Sequence, residues 1–278
     1  MTSRYKIARE DCPLMPDNEK QSAPTLAGVP VLIPAGGLGT RLGDFAKEVP
    51  KSMIDIGGKP FIAHQLNLLK REGASDVVLL LGHMSDKIQE FVGNGESFGI
   101  NVRYSWDGDK PLGTGGAVKA ALKNLEVASD EIAIMYGDTY LDIPMGPALA
   151  QFKHCGRKGL MTVWEANPYN LSQWKERNTQ FNRSTGLIEK YDKKKATEAM
   201  HHFDFGLSFF NRSVFDKRKK ESAFDIGDIF QALVKENQLA GYEVDRRFYD
   251  LNTPECLIET RAYLGQNQLW QLHSESEE

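Results

Sequence analysis

PAGGLGTRLGDFAKEVPKSM, residues Pro34–Met53, places three glycines within four positions directly after a short apolar run. The segment VPVLIPAGG (29–37) predicts a buried strand that opens into a loop. Glycine lets a backbone approach a ligand closely, and the cations that follow, Arg41 and Lys51, are residue types that bind phosphate. The stretch therefore predicts a phosphate-binding loop at the end of the first strand.

The loop differs from two familiar phosphate-binding patterns. In GLGTRL (37–42) a leucine stands where a dinucleotide-binding loop has its third glycine, and no Gly-Lys-Ser/Thr lies at P-loop spacing. Backbone amides with two separated cations instead suit a nucleoside triphosphate that is cleaved between its α and β phosphorus atoms. The alternative is a tight turn whose charged side chains are solvated.

Strand and helix patterns alternate through the first half of the chain. The predicted strands are 29–37, 76–82, 100–106 and 131–138, and the predicted helices are 59–73, 85–93 and 114–125. Ser85 is the expected cap of the second helix. Such alternation implies right-handed crossovers and a mostly parallel sheet covered on both faces.

The pattern changes after residue 138. Strand-like segments with turn residues between them predict an antiparallel extension of the sheet, at 160–166, 178–182, 186–192 and 203–211. Two helices are predicted after them, at 224–237 and 253–272, the second with Thr253 as its N-cap.

These segments predict one α/β domain that extends from residue 28 to residue 272. Residues 1–27 mix charges and prolines without a regular period, so they are expected to be an extension that is flexible or lies against the domain. Residues 273–278 are expected to be a polar tail.

The composition argues against several classes of function. The 278 residues are 41% hydrophobic and carry a formal net charge of -4. Because no long basic run is present, no nucleic-acid partner is expected. No apolar run approaches the ~20 residues that span a bilayer, so no membrane association is expected. A homo-oligomer is compatible with the sequence, which does not define the oligomeric state.

Cysteine usage gives an expectation about the compartment. The cysteines are Cys12, Cys155 and Cys256, an odd number at wide spacing. Neither a disulfide framework nor a zinc site is expected from this spacing. The expected location is the reducing cytoplasm.

Several motifs occur in the order found in one enzyme family. They are AGGLGTRL, PK (Pro50, Lys51), PLGTGGAV (111–118), YGDTYLDI (136–143) and YDLNTPE (249–255). Together they resemble the sugar-1-phosphate nucleotidyltransferases, in which they match the triphosphate loop, its lysine, the base-recognition loop, the metal-binding strand end and a late Asp-x-Gly-Thr-Pro-Glu element. LGTGGA, VPKSM and DFGLSFF look most like the heptose-1-phosphate guanylyltransferases. The resemblance, from about Val29 to about Tyr263, implies a single Rossmann-like nucleotidyltransferase domain, with a nucleotide-binding parallel sheet and antiparallel strands around the sugar.

The resemblance implies roles for individual residues on the nucleotide side. The residues implied to shape the triphosphate loop or to contact the base and ribose are Ala35, Gly36, Gly37, Gly39, Thr40, Gly113 and Thr114. Arg41 would hold the leaving pyrophosphate, and Lys51 would contact the α-phosphate and the attacking phosphate. Asp138 completes the implied catalytic set.

A divalent metal ion is implied as the cofactor. Asp138 matches the family's metal aspartate, and Asp250 matches a second carboxylate that closes on the same ion. Two carboxylates with phosphate oxygens and water suit Mg²⁺ in nucleotide enzymes. For Asp138 taken alone, a role in a turn is the alternative, because Gly-Asp is common turn chemistry.

On the sugar side, the residues that resemble the family's hexose-contacting segments are Glu165, Lys193, Asp204 and Gly206. Carboxylates and amides suit sugar hydroxyls, and a lysine suits the 1-phosphate. The family's Glu-Lys-Pro is replaced here by YDKKK, so Lys190 and Lys194 are alternatives to Lys193. A solvated charge run is the remaining alternative.

The implied function is the reaction of a nucleoside triphosphate with a sugar 1-phosphate to give a nucleotide sugar and pyrophosphate, for surface glycan synthesis, with GDP-heptose as one candidate product. Two alternatives stay open at this point. One is a cytidylyltransferase that acts on a non-sugar phosphate, and the other is a non-catalytic regulatory protein that binds a nucleotide sugar.

Overall fold

The computed structural model of the chain describes Cys12 and residues 25–37, 42, 49–82, 84–108, 110–166, 177–218 and 223–274. Side chains in the last helix are described as far as residue 265. Gly39, Thr40 and Arg41 lie outside the described residues, as do most of the predicted N-terminal extension and the last four residues of the predicted tail.

The strands and helices follow the predicted alternation. In chain order the strands are β1 Val31–Pro34, β2 Asp55–Ile56, β3 Lys59–Pro60, β4 Asp76–Leu81, β5 Asn101–Trp106, β6 Glu131–Met135, β7 Thr139–Tyr140, β8 Gly159–Glu165, β9 Thr179–Asn182, β10 Leu187–Tyr191, β11 His202–Asn211, β12 Leu239–Val244 and β13 Tyr249–Asp250. The α-helices are α1 Phe61–Arg71, α2 Ser85–Val92, α3 Gly113–Asn124, α4 Gly146–Cys155, α5 Ser213–Asp216, α6 Ile226–Lys235 and α7 Pro254–Ser274.

One nine-stranded sheet organises the described part of the chain, in the order β5-β4-β1-β6-β11-β8-β12-β10-β9. The first four strands in this order, β5, β4, β1 and β6, are parallel. From β6 onward the neighbours are antiparallel, apart from the parallel pair β8 and β12. The prediction of an α/β fold with a mostly parallel central sheet and an antiparallel extension is confirmed.

Helices cover both faces of the sheet because successive side chains of a strand point to opposite sides. Val31 and Ile33 of β1 lie in one buried cluster, which includes the apolar face of α1. Leu32 lies in the other cluster, with Val118 of α3 and Ile229 of α6. The strands between them are therefore buried on both sides, which explains their near-continuous apolar sequences.

Of the two helix caps predicted from the sequence, the cap at Ser85 was wrong and the cap at Thr253 is confirmed. Ser85 is the first residue of α2 rather than its cap, and the preceding Met84 has a left-handed backbone with no side-chain capping bond. Thr253 precedes α7, and its Oγ1 accepts a hydrogen bond from the Cys256 N–H at 3.3 Å, as expected of an N-cap. Among the described helices, none has both the length and the apolar character that a membrane span requires.

The two longest elements that the sequence analysis did not predict are a strand and a helix. Strand β12, LAGYEV, lies in the sheet between β8 and β10. Helix α4, GPALAQFKHC, begins with a proline in its first turn and ends at Gly156 in a left-handed conformation. Both boundaries of α4 carry ordinary helix signals, so this helix was detectable from the sequence.

The Cys12 and Cys155 sulfurs are bonded in a disulfide, and the Cα atoms lie 5.1 Å apart. This corrects the expectation that the cysteines would not pair. The two residues are 143 positions apart in the chain, and the pairing of distant cysteines depends on tertiary structure that spacing does not reveal. Cys12 is fully buried, and its N–H donates to the Thr185 carbonyl at 2.7 Å.

The disulfide predicts a redox-dependent stability. Under oxidising conditions Cys12→Ser should lower the free energy of unfolding by about 2–4 kcal/mol, because the cross-link restricts the unfolded chain. Urea unfolding with and without reductant measures this difference. Cys256→Ser is the matched control, since Cys256 is the free cysteine. Equal stability of the wild type in both conditions would contradict the pairing.

Candidate active site

A cavity of about 790 Å³ opens at the carboxyl ends of the parallel strands. Its wall includes residues that follow β1, β5 and β6, together with Leu80 of β4, and it also includes residues of the antiparallel half. In α/β sheets, ligands bind at this edge because the strand-to-helix loops converge there. The cavity is therefore the candidate active site.

The wall on the parallel side contains the described part of the glycine loop. Ala35, Gly36 and Gly37 follow β1 and line the cavity. The Ala35 N–H donates to the Leu80 carbonyl of β4 at 2.9 Å, which fixes the start of the loop against the neighbouring strand. The structure thus brings the predicted loop residues that it describes to one end of the cavity.

Gly113 and Thr114 line the same side of the cavity, at the start of α3. The Phe224 carbonyl accepts hydrogen bonds from the N–H groups of Gly115 and Gly116, at 3.0 and 3.1 Å. A Cβ atom on Gly115 would lie 2.3 Å from Cε2 of the Phe224 ring. The glycine at position 115 is therefore explained by packing against Phe224, a contact that the sequence analysis did not anticipate.

Lys51 lines the cavity and is the first residue of a 3-10 turn, Lys51–Met53. Its Nζ donates to Asp138 Oδ2 and to Asn252 Oδ1, each at 3.2 Å. The Lys51 side chain is 12% exposed. A cation so nearly buried requires such partners, and the structure therefore places a positive charge directly beside Asp138.

Asp138 and Asp250 are brought together by a two-stranded ribbon. Asp250 of β13 pairs with Thr139 of β7, and the Leu251 N–H donates to the Asp138 carbonyl at 3.0 Å. Both aspartates line the cavity. The Asp250 Oδ1 also accepts from the Asn252 N–H at 2.8 Å, which fixes the orientation of that carboxylate.

The antiparallel side of the cavity contains a carboxylate held by tyrosines. The Tyr136 hydroxyl donates to Asp204 Oδ2 at 2.5 Å, and the Tyr191 hydroxyl lies 3.4 Å from the same oxygen. Desolvation raises the pKa of Asp204 above its ordinary value, although the nearby Lys193 charge and the Tyr136 hydrogen bond oppose this. Desolvation and the Asp204 charge in turn raise the pKa of Tyr136.

Gly206 has a backbone role near this carboxylate. Its φ angle is +96°, which side chains rarely adopt, and its N–H donates to Asp204 Oδ1 at 3.1 Å. The pairing of β11 with β8 is irregular between Asp204 and Ser208. Gly206 therefore forms the bulge that directs Asp204 into the cavity.

All three candidate lysines are exposed, but Lys193 lines the cavity, whereas Lys190 and Lys194 do not. The Lys193 Nζ lies 3.3 Å from Asp225 Oδ1 and 5.5 Å from the centre of the Tyr136 ring. Because the ion pair with Asp225 is exposed, it contributes little to stability. Lys193 is thus able to exchange Asp225 for a phosphate at small energetic cost.

Glu165 lies apart from the described wall of the cavity. It is the last residue of β8, and its carboxylate pairs with Arg183 at 3.0 Å. Arg183 also pairs with Glu243, whose Oε1 lies 3.1 Å from His202 Nε2. In the described structure Glu165 belongs to this exposed network of charges.

The polar residues that were not identified from the sequence include Asn178 and Asn252 of the cavity wall and Asp225 beside it. Asn178 lines the cavity, and its Oδ1 accepts from the Asp204 N–H at 2.9 Å. Asp225 caps α6 and also accepts from the Thr114 hydroxyl at 3.2 Å. Asn252 lay within the quoted YDLNTPE element, whereas no local pattern marked Asn178.

Asp204 should make the unfolding free energy depend on pH. Because its pKa is higher in the folded chain than in the unfolded chain, the folded state binds a proton first as pH falls. The unfolding free energy of the wild type should therefore rise relative to that of Asp204→Asn between neutral pH and about pH 4. Urea unfolding of both proteins over this range measures the difference, which cancels the titration of the other groups. A constant or falling difference would contradict the assignment.

Comparisons with known proteins identify the family of the chain. The sequence model of the family described as nucleotidyl transferase matches residues 30–267. A mannose-1-phosphate guanyltransferase of Gibberella zeae is 29% identical over 84% of this chain, and the chain spans 64% of that relative's length. A D-glycero-alpha-D-manno-heptose 1-phosphate guanylyltransferase of Campylobacter jejuni is 28% identical over 81% of this chain and 95% of its own.

Solved structures give the same fold. HddC from Yersinia pseudotuberculosis, in a complex described as containing GMP-PN, superimposes with a TM-score of 0.70 at 21% identity, over 85% of this chain and 99% of its own. A structure described as a putative glucose-1-phosphate thymidylyltransferase from Bacillus anthracis gives a TM-score of 0.73 at 23% identity, over 85% of this chain and 95% of its own. The chain belongs to the nucleotidyl transferase family.

Proposed function

We propose that this protein is a sugar-1-phosphate nucleotidyltransferase, which converts a nucleoside triphosphate and a sugar 1-phosphate into a nucleotide sugar and pyrophosphate. The observation that carries the proposal is the position of Lys51. Its ammonium lies beside Asp138, in a cavity that the glycine loop and Lys193 also line. Phosphoryl transfer depends on positioning and on neutralising charge, and these groups supply both.

The cavity has room for two substrates. The loop residues Ala35 to Gly37, with Gly113 and Thr114, would contact the nucleotide at one end. Asp204, Asn178 and Lys193 would contact the sugar and its phosphate at the other end. The two phosphates would then meet at Lys51, between the two groups of residues.

Guanosine triphosphate is the proposed donor, and mannose 1-phosphate or a heptose 1-phosphate is the proposed acceptor. The support is the set of relatives, two of which are named as guanylyl-transferring enzymes for these sugars. GDP-mannose or GDP-heptose would be the product. Such products are used in surface glycan synthesis, which is the proposed role.

In the proposed reaction an oxygen of the sugar phosphate attacks the α-phosphorus of the triphosphate. A new phosphorus–oxygen bond forms as the bond to the β-phosphate breaks, and pyrophosphate leaves. The attacking phosphate is already an anion at neutral pH, so no side chain has to remove a proton. Lys51 would neutralise charge on the phosphates that react, and Arg41 would hold the leaving pyrophosphate.

Mg²⁺ is the proposed cofactor, held by Asp138 and Asp250. The donor set fits this ion, because Mg²⁺ prefers one or two carboxylates and takes its remaining ligands from water and phosphate. Within the described residues no group of three or more potential metal ligands occurs, and so a cage made by the protein alone is not the arrangement proposed. When bound, the ion would supply positive charge at the phosphate oxygens.

A cytoplasmic location is also proposed, because nucleoside triphosphates and sugar phosphates are soluble metabolites of that compartment. In its reducing environment Cys12 and Cys155 would be thiols, and their disulfide would form on oxidation. The proposed partners are these two substrates, and a homo-oligomer is compatible with the proposal.

The proposal predicts that Lys51→Ala lowers the turnover rate by about 100-fold or more, because a group that neutralises charge in the transition state is removed. The fold should stay intact. Pyrophosphate release with Mg²⁺ measures this, with each common nucleoside triphosphate tested against mannose, glucose and heptose 1-phosphates. Lys123→Ala is the control, since Lys123 is exposed on α3. Circular dichroism checks the fold of both variants.

The wild type should release pyrophosphate with GTP and one of the sugar phosphates. Full activity in Lys51→Ala would contradict the role of Lys51. No pyrophosphate release by the wild type with any pair of substrates would contradict the proposed function itself.

A further inference from the structure

The side chain of Asn252 is the second acceptor of the Lys51 ammonium. The two acceptors described for Lys51 Nζ are Asp138 Oδ2 and Asn252 Oδ1, at equal distances of 3.2 Å. One of them is charged and the other is neutral. The ammonium is therefore shared between a carboxylate and an amide carbonyl.

Asn252 is also fixed by its own backbone. Its N–H donates to Asp250 Oδ1 at 2.8 Å, and the adjacent Leu251 N–H donates to the Asp138 carbonyl at 3.0 Å. Asn252 thus contacts Lys51 through its side chain and Asp250 through its backbone N–H, and its neighbour Leu251 contacts Asp138. A substitution at Asn252 would therefore change the hydrogen bonding of Lys51 directly.

The asparagine stands where the Asp-x-Gly-Thr-Pro-Glu element has glycine. The backbone of Asn252 is not left-handed, so the local conformation does not require a glycine. The side chain can therefore be truncated to alanine without a new backbone strain. A truncated variant loses the hydrogen bond to Lys51.

We propose that Asn252 is a positioning residue for Lys51: its side-chain carbonyl holds part of the ammonium's hydrogen bonding and so keeps Asp138 able to accept a divalent cation. This inference rests on the proposed function for the role of Lys51 and deepens it.

The electrostatic reason lies in the charge of the two acceptors. Two cations that share one carboxylate repel each other, so a lysine bound wholly to Asp138 would oppose a divalent ion there. A neutral amide can hold the ammonium without adding a third carboxylate. If Asn252 is truncated, Asp138 becomes the remaining described acceptor for Lys51. The ammonium then competes more strongly with the divalent ion for the Asp138 carboxylate.

A double-mutant cycle on metal binding tests this inference. Binding of Mn²⁺, as a probe for the proposed Mg²⁺ site, is measured by calorimetry in the wild type, Asn252→Ala, Lys51→Met and the double variant. Asn252→Ala should weaken Mn²⁺ binding by about three- to tenfold. In the Lys51→Met background the same truncation should have no effect, because the competing ammonium is gone.

The control is Asn124→Ala, an exposed asparagine at the end of α3, and it should bind Mn²⁺ as the wild type does. The Lys51 ammonium signal in nitrogen-15 NMR, assigned with Lys51→Arg, gives a second readout. The ammonium protons of Lys51 should exchange slowly with water in the wild type and faster in Asn252→Ala.

Equal effects of Asn252→Ala in both backgrounds would overturn the inference, since the truncation would then act by some route other than Lys51. Unchanged Mn²⁺ binding in Asn252→Ala, or no Mn²⁺ binding by the wild type, would also overturn it. None of these readouts needs turnover. If the protein is inactive but Mn²⁺ binding changes as predicted in the four proteins, the proposed function alone is contradicted. If the protein is active but Mn²⁺ binding does not change as predicted, the role of Asn252 alone is contradicted.

Discussion

The hydrogen bond from the Leu251 N–H to the Asp138 carbonyl is the contact on which the arrangement of the cavity depends. It extends the short ribbon of β7 and β13 by one residue on each side and joins two segments more than a hundred residues apart. This hydrogen bond holds the segment of Asp250 and Asn252 next to Asp138, which follows β6. Lys51, from a third distant segment, then binds between Asp138 and Asn252. Much of the chain must fold correctly before these groups meet.

The change of strand direction between β6 and β11 divides the cavity into two halves. Because β11 is antiparallel to β6, its beginning rather than its end lies at the edge where the parallel strands finish. Asp204, near the start of β11, therefore comes next to Tyr136, which follows β6. The parallel half presents loops and a helix N-terminus, which suit phosphates. The antiparallel half presents carboxylate and amide side chains, which suit hydroxyl groups.

The sequence predicted the parallel half well, because its strands are apolar runs and its helices have a regular period. Strand β12 was missed because the short segment LAGYEV has no clear alternation and includes a glycine. The pairing of Cys12 with Cys155, the packing of Phe224 on Gly115 and the bond from Lys51 to Asn252 were also missed. Each of these joins residues far apart in the chain, and no local pattern encodes such a contact. Family motifs indicated positions such as Lys51 and Asp138, but not their partners.

The measurement that tests the account most directly is a crystal structure of the protein with GDP-mannose, the nucleotide sugar suggested by the named relatives. The account predicts guanine against Gly113 and Thr114, the diphosphate beside Lys51, and the sugar against Asp204 and Lys193. A nucleotide sugar bound in the opposite direction along the cavity, or bound elsewhere on the protein, would contradict it.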